Sequence, residues 1–159
     1  MTEMRIDRIE KNSGYLHSAT EVVRTSKEAL DALYELAYSL KEEHWNRLDS
    51  TGELKTHTCR VFRSSSGTPT ITWSKVRWRQ ASAPGKSRSW QLFAISKGAG
   101  DTFTRKSMGP MSARQEELFQ IYEPKFAAIR TAIKKHRSAI VETQRALAAM
   151  RKEFLDSQL

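Results

Sequence analysis

Thr70-Ile71-Thr72-Trp73-Ser74-Lys75-Val76-Arg77-Trp78-Arg79-Gln80 is the stretch whose reading decides the fold. β-Branched and aromatic residues alternate in it with polar and cationic ones, the pattern of a half-buried strand. The alternation breaks once. Ile71 and Trp73 are two apart, as are Val76 and Trp78, but three positions separate Trp73 from Val76. A β-bulge near Ser74-Lys75 would return all four apolar side chains to one face and leave Lys75, Arg77 and Arg79 on the other. An unbroken strand would instead place Ile71 and Trp73 on the face of the three cations. The bulge is the favoured reading, because an apolar side chain gains from burial only where it meets a core.

Strands are predicted on either side. His57 to Arg63 precedes it, across the turn-forming run Ser64-Ser65-Ser66-Gly67-Thr68-Pro69. Arg88 to Lys97 follows the Ala83-Pro84-Gly85-Lys86 turn, and Thr102 to Arg105 is read as a short edge strand around Phe103. Beyond the strands the period becomes helical. From Ser18 to Leu48, apolar residues recur at three- and four-residue steps, and Asp49-Ser50-Thr51-Gly52 supplies a glycine exit. Asn12-Ser13-Gly14 predicts an interruption, so the first dozen residues are read as a frayed or separate helix. A second helix is expected to start near Ala113 behind a Ser112 cap, with Pro124 kinking or breaking it. Phe126, Ile133, Ile140, Leu147 and Phe154 then fall every seven residues, with Ile129, His136, Thr143 and Met150 between them. This heptad seam is most simply paired antiparallel with the first helix; a homodimer seam is the alternative. The expected fold is α+β: a three- or four-stranded antiparallel meander packed on two long helices, in a single domain spanning 1–159, with segments 1–54, 55–110 and 111–159.

Charge is distributed along these segments very unevenly. Of the net +9, residues 55–110 carry +10, with Asp101 their only acid, while 1–54 carry −4 and 111–159 carry +3. A one-signed concentration of this kind is the electrostatic footprint of a polyanion, usually nucleic acid. Six of the eleven cations are arginines, a residue suited to planar two-pronged contacts to phosphate or guanine edges. The candidate nucleic-acid-binding residues are Arg60, Arg63, Lys75, Arg77, Arg79, Lys86, Arg88, Lys97, Arg105 and Lys106. Arg130, Lys134 and Arg137 share one face of the last helix, read first as a solvated face and alternatively as a secondary basic stripe. Trp73, Trp78 and Trp90 are read first as core residues, with base stacking as the alternative.

Other chemistries find little support. His17, His44, His57 and His136 lack metal-ligand spacing, and there is neither a Gly-rich phosphate loop nor a nucleophile elbow. The lone cysteine, Cys59, sits mid-strand and reads as a small buried hydrophobe. No catalytic residue, metal or cofactor is expected. The sequence has neither an apolar run long enough to span a bilayer nor a secretory leader, so a cytoplasmic protein without a membrane partner is expected.

The residues also carry a resemblance. Glu43-His44-Trp45 closes a helix, Ile71-Thr72-Trp73 follows in a strand, and then come Trp90 and Ile95-Ser96-Lys97-Gly98. Last is Tyr122-Glu123-Pro124-Lys125-Phe126-Ala127-Ala128-Ile129-Arg130. Over residues 43–137 this layout resembles the MobI-type conjugative transfer proteins of integrative elements and large plasmids, on short motifs. The resemblance implies an accessory relaxosome protein that binds the origin of transfer and assists a relaxase without cutting DNA itself; groove entry by Lys75, Arg77 and Arg79 makes double-stranded DNA the expected form. Two further readings accompany it: a protein–protein adaptor using the helical seam, and an RNA or single-strand binder using the tryptophans.

Overall fold

The computed structural model describes residues 2–79, 83–86 and 89–156, with side chains from 13 to 153. Arg88 and the side chain of Phe154 lie outside the described residues. The elements run α1 (Thr2–Asp49), β1 (His57–Arg63), β2 (Pro69–Arg79), β3 (Ser89–Ala94), α2 (Arg105–Met108) and α3 (Ala113–Asp156). Three antiparallel strands in the order β1-β2-β3 with long helices before and after them make the fold α+β, as expected. The chain divides into two compact units, one of residues 33–133 and one of residues 1–32 with 134–159.

In the first unit the sheet corrects the favoured reading of β2. Its register runs without an extra residue, from Arg63 opposite Pro69 to His57 opposite Lys75, and from Ser74 opposite Ala94 to Arg79 opposite Ser89. There is no bulge at Ser74-Lys75. Strict alternation therefore puts Ile71, Trp73, Lys75, Arg77 and Arg79 on one face, and Thr72, Ser74, Val76 and Trp78 on the other. The physical reason is that the strand changes environment along its length. Ile71 and Trp73 are 3% and 1% exposed, whereas Lys75 is half-buried and Arg77 and Arg79 are exposed. An eleven-residue strand of roughly 35 Å passes from a covered end to an open one. One face is thus apolar first and cationic later.

Trp73 is the centre of the covered end. Its ring meets His44, Phe119 and Phe126 edge-on, at centroid distances of 5.2, 5.3 and 6.1 Å. Leu118, Phe119, Tyr122, Phe126, Ile129 and Ile133 are buried on α3 at three- and four-residue steps, and Ala37, His44 and Leu48 on α1. The Tyr122 hydroxyl donates to Glu43 at 2.6 Å. At the start of α3, the Ser112 hydroxyl accepts from the Gln115 N–H and donates to Glu53, so the expected cap is present.

Three further expectations are corrected. Phe103 is buried, 3% exposed, but lies in a loop before the four-residue α2, so the sheet has no fourth strand among the described residues. Its N–H is taken by a side chain, Glu123, rather than by a neighbouring strand. α1 runs through Asn12-Ser13-Gly14 without interruption, since one interior glycine costs only about 1 kcal/mol in a helix of 48 residues. Of the kink or break expected at Pro124, the break is absent: α3 is one continuous helix through it. Pro124 is exposed, and the buried Tyr122, Glu123 and Phe126 on either side of it hold the helix in place.

In the second unit, Ala19, Ser26 and Leu30 of α1 and Leu147 of α3 are buried. Arg24 pairs with Glu21 and Glu28 at 2.8 and 2.6 Å on the exposed surface.

Candidate nucleic-acid interface

β1 begins opposite Lys75, so β2 runs on past it. Beyond Val76, whose N–H reaches the Thr56 carbonyl at 2.8 Å, residues 77–79 pair only with 89–91. The result is a two-stranded ribbon with different chemistry on its two sides. One side carries Lys75, Arg77 and Arg79 from β2 with Gln91 and Phe93 from β3. Here the Arg77 guanidinium lies 4.5 Å from the centre of the Phe93 ring, and Arg79 donates to the Gln91 side-chain oxygen at 3.1 Å. Neither arginine is paired with a carboxylate among the described residues. Packing on a ring and an amide fixes the orientation of the guanidinium groups while leaving their charge uncompensated.

At the base of this row, Lys75 Nζ would lie only 3.0 Å from a Cβ added at Gly109. Opposite Lys75, His57 donates from Nε2 to the Met108 carbonyl at 2.7 Å. Burial pushes the His57 pKa down, and the positive charges of Lys75 and Arg105 push it the same way. The imidazole is held neutral, so it does not add to the positive charge beside it.

The other side of the ribbon is aromatic. Trp78 pairs across the strands with Trp90, and Val76 with Leu92. Together with Trp45 and Lys55 they line an open recess of about 110 Å³. The Trp78 indole N–H donates to the Lys55 carbonyl at 2.8 Å, which fixes its ring, while Trp90 is 54% exposed. Lys55 Nζ lies 4.4 Å from the centre of the Trp45 ring and 2.5 Å from an Asp49 oxygen.

The structure thus brings Lys75, Arg77 and Arg79 together and separates them from several other candidates. Arg60 alternates to the opposite face, over the Phe62 ring at 5.3 Å. Arg63 shares the face of Lys75 but stands at the far end of β1, 4.3 Å from the Tyr34 ring centre. Lys97 bonds the Gly100 carbonyl and lies 4.0 Å from Asp101. Arg105 is paired with Glu116 at 2.8 Å. Lys86 and Lys106 are exposed, as are Lys134 and Arg137 in the other unit.

Arg130 is a correction. Expected on an exposed stripe, it is 8% exposed and bound to Glu123, and its Nε donates to the Ile71 carbonyl at 3.1 Å. The heptad spacing that suggested a basic stripe aimed its side chain inward, where a buried acid was waiting. A charged Glu123 inside the run Tyr122 to Phe126 was the available signal. Trp45 was also missed as a partner of the ribbon, because α1 reaches the recess only through the tertiary fold. Cys59 is wholly buried, and desolvation drives its thiol pKa far above the usual range. Among the described residues no three His, Cys, Asp or Glu side chains converge as a metal site, and no helix is long and apolar enough to cross a membrane.

The fold and this surface define a small α+β protein with a cationic, aromatic-backed β-ribbon. The family model for the MobI protein matches residues 33–153, most of the chain, and the protein belongs to that family. Membership gives it an accessory role in conjugative transfer, in a family not known for enzymes. Neither a curated protein nor a solved structure matches the chain.

Proposed function

We propose that this protein binds duplex DNA at an origin of transfer and helps a relaxase act there in the cytoplasm, without performing the cleavage itself. The observation that carries the reading is the ribbon of residues 77–79 and 89–91, with Arg77 and Arg79 free of carboxylate partners on one side. The major groove of B-DNA admits a two-stranded β-ribbon, and arginine reads guanine edges there with two hydrogen bonds. Arg77 and Arg79 are placed to contact bases or phosphates, and Lys75 is placed to contact phosphate at the groove's rim. Lys86 and Lys106 are exposed and add to the same attraction. Arg88 belongs to this set on its sequence position.

Replacing Lys75, Arg77 and Arg79 together by alanine tests it, with binding to the element's transfer-origin duplex measured by fluorescence anisotropy at physiological salt. The expected result is a loss of affinity of at least about tenfold, since each phosphate or guanine contact contributes of the order of 1 kcal/mol or more. Unchanged affinity in a folded variant contradicts the placement.

A further inference from the structure

We infer that the recess behind the cationic row is a stacking site for an unpaired nucleobase, so that the same ribbon engages single-stranded or locally opened DNA. The inference rests on the nucleic-acid reading above and adds to it a second ligand state. The chemistry of the recess selects the occupant. Val76, Leu92 and the indoles of Trp45, Trp78 and Trp90 make its lining largely apolar and aromatic, with Thr58 and Lys55 beside them. A nucleobase is a flat ring with two π-faces, and stacking on indoles is independent of its sequence. Lys55 lines the recess with its ammonium paired to Asp49, and Arg60 adds a cation on the same face of the sheet. An apolar peptide has no use for those charges, whereas a base brings a phosphate with it.

Preorganisation points the same way. Trp78 is tethered by its N–H to the Lys55 carbonyl at 2.8 Å. Its ring is therefore set before a ligand arrives, which lowers the ordering cost of binding. Trp90 leaves 54% of its surface in solvent, on a strand with no charged side chain between Ser89 and Ala94. Bases in a duplex are already stacked on their neighbours and cannot enter. The occupant must be unpaired, so the recess discriminates between duplex and open DNA while the cations on the far side do not.

The test uses the full chain with three probes: a twenty-residue oligothymidine, an abasic oligonucleotide of the same length, and a random duplex. Trp90→Ala removes an exposed ring and spares the core; Trp78→Phe keeps an aromatic at the tethered position. Trp90→Ala is expected to weaken oligothymidine binding roughly 5- to 100-fold, the worth of one stacked base. Its effect on duplex affinity should be smaller than its effect on oligothymidine, since Trp90 lies on the face opposite the cationic row, and abasic binding by the wild type should match that of the variant. Trp78→Phe keeps a ring but loses the N–H tether to the Lys55 carbonyl, and should weaken oligothymidine binding less than Trp90→Ala does. If Trp90→Ala binds oligothymidine like the wild type while both still bind duplex, the recess is not a base site and the duplex reading stands. If the wild type binds none of the three probes, the nucleic-acid reading itself fails and takes this inference with it.

Discussion

Glu123 and Arg130 stand seven residues apart on α3 and close a two-pronged ion pair in the core, at 2.8 and 3.0 Å. The pair is saturated by its surroundings. Glu123 also accepts from the Trp73 indole and from the Phe103 N–H, each at 2.7 Å. Arg130 also donates to the carbonyls of Ile71 and Asp101 at 3.1 and 2.7 Å. Its guanidinium lies 4.8 Å from the centre of the Phe103 ring. One helix is thereby locked to the central strand and to the loop before α2. Buried ion pairs add little net stability but fix geometry, and here they fix the strand that carries the cationic row.

Removing one partner is therefore costly. Glu123→Ala leaves a buried guanidinium uncompensated and strips acceptors from Trp73 and Phe103, and is expected to cost about 3–5 kcal/mol. Urea unfolding followed by tryptophan fluorescence measures it. The double variant Glu123→Leu/Arg130→Met removes both charges and should recover the part of the loss due to the uncompensated guanidinium, while the Trp73 and Phe103 N–H groups still lack their acceptor; a double variant as unstable as the single one contradicts the account.

Acid should weaken the fold in a defined window. His44 is 2% exposed, and burial, with Lys55 nearby, lowers its pKa from 6.5 to about 4. Above pH 6.5 it is neutral in both folded and unfolded states, and its full contribution to stability is present. As pH falls from 6.5 to 4, only the unfolded chain takes up the proton, so stability falls by at most about 3 kcal/mol. His57 is shifted in the same direction and steepens the fall. Stability measured at pH 7, 5.5 and 4.5 should decline in that order, and His44→Phe should flatten part of the slope.

Gly109 joins backbone conformation to the basic row. Its φ is +75°, a region that L side chains avoid. A methyl added there meets the Lys75 ammonium at 3.0 Å, the mobile end of a flexible side chain. Gly109→Ala should cost about 1–3 kcal/mol, mostly backbone strain. Thermal unfolding reads the change.

Cys59 should be inert in the native state. It is completely buried in mid-strand, with its thiol held protonated by desolvation. Ellman's reagent should label it only at the rate of global unfolding, and fully in denaturant. Rapid native labelling contradicts the burial.

Much of this was legible in the residues. The switch from period two to period three and a half marked the strands and helices, and the segment charges marked the ribbon. The register of β2 was misread because period-two logic assumes one environment per face. Here the covered end and the open end share a face, so Trp73 and Arg77 point the same way. Phe103 was read as strand because a buried aromatic in a short polar run looks alike in a strand and in a loop tethered by a side chain. Arg130 was misassigned for a similar reason: spacing places a charge on a helix face, but only tertiary contacts reveal a buried counter-charge. The recess drew on Trp45, 33 positions before Trp78 in sequence, and no local pattern joins them.

The salt dependence of binding to the transfer-origin duplex tests the central claim most directly. If the ribbon and its neighbouring cations neutralise about five phosphates, the plot of log affinity against log salt has a slope near −4 to −5. The Lys75, Arg77, Arg79 triple alanine variant should flatten that slope by about 2 to 3. A slope near zero in the wild type, or the same steep slope in the variant, contradicts the assignment of this surface to DNA.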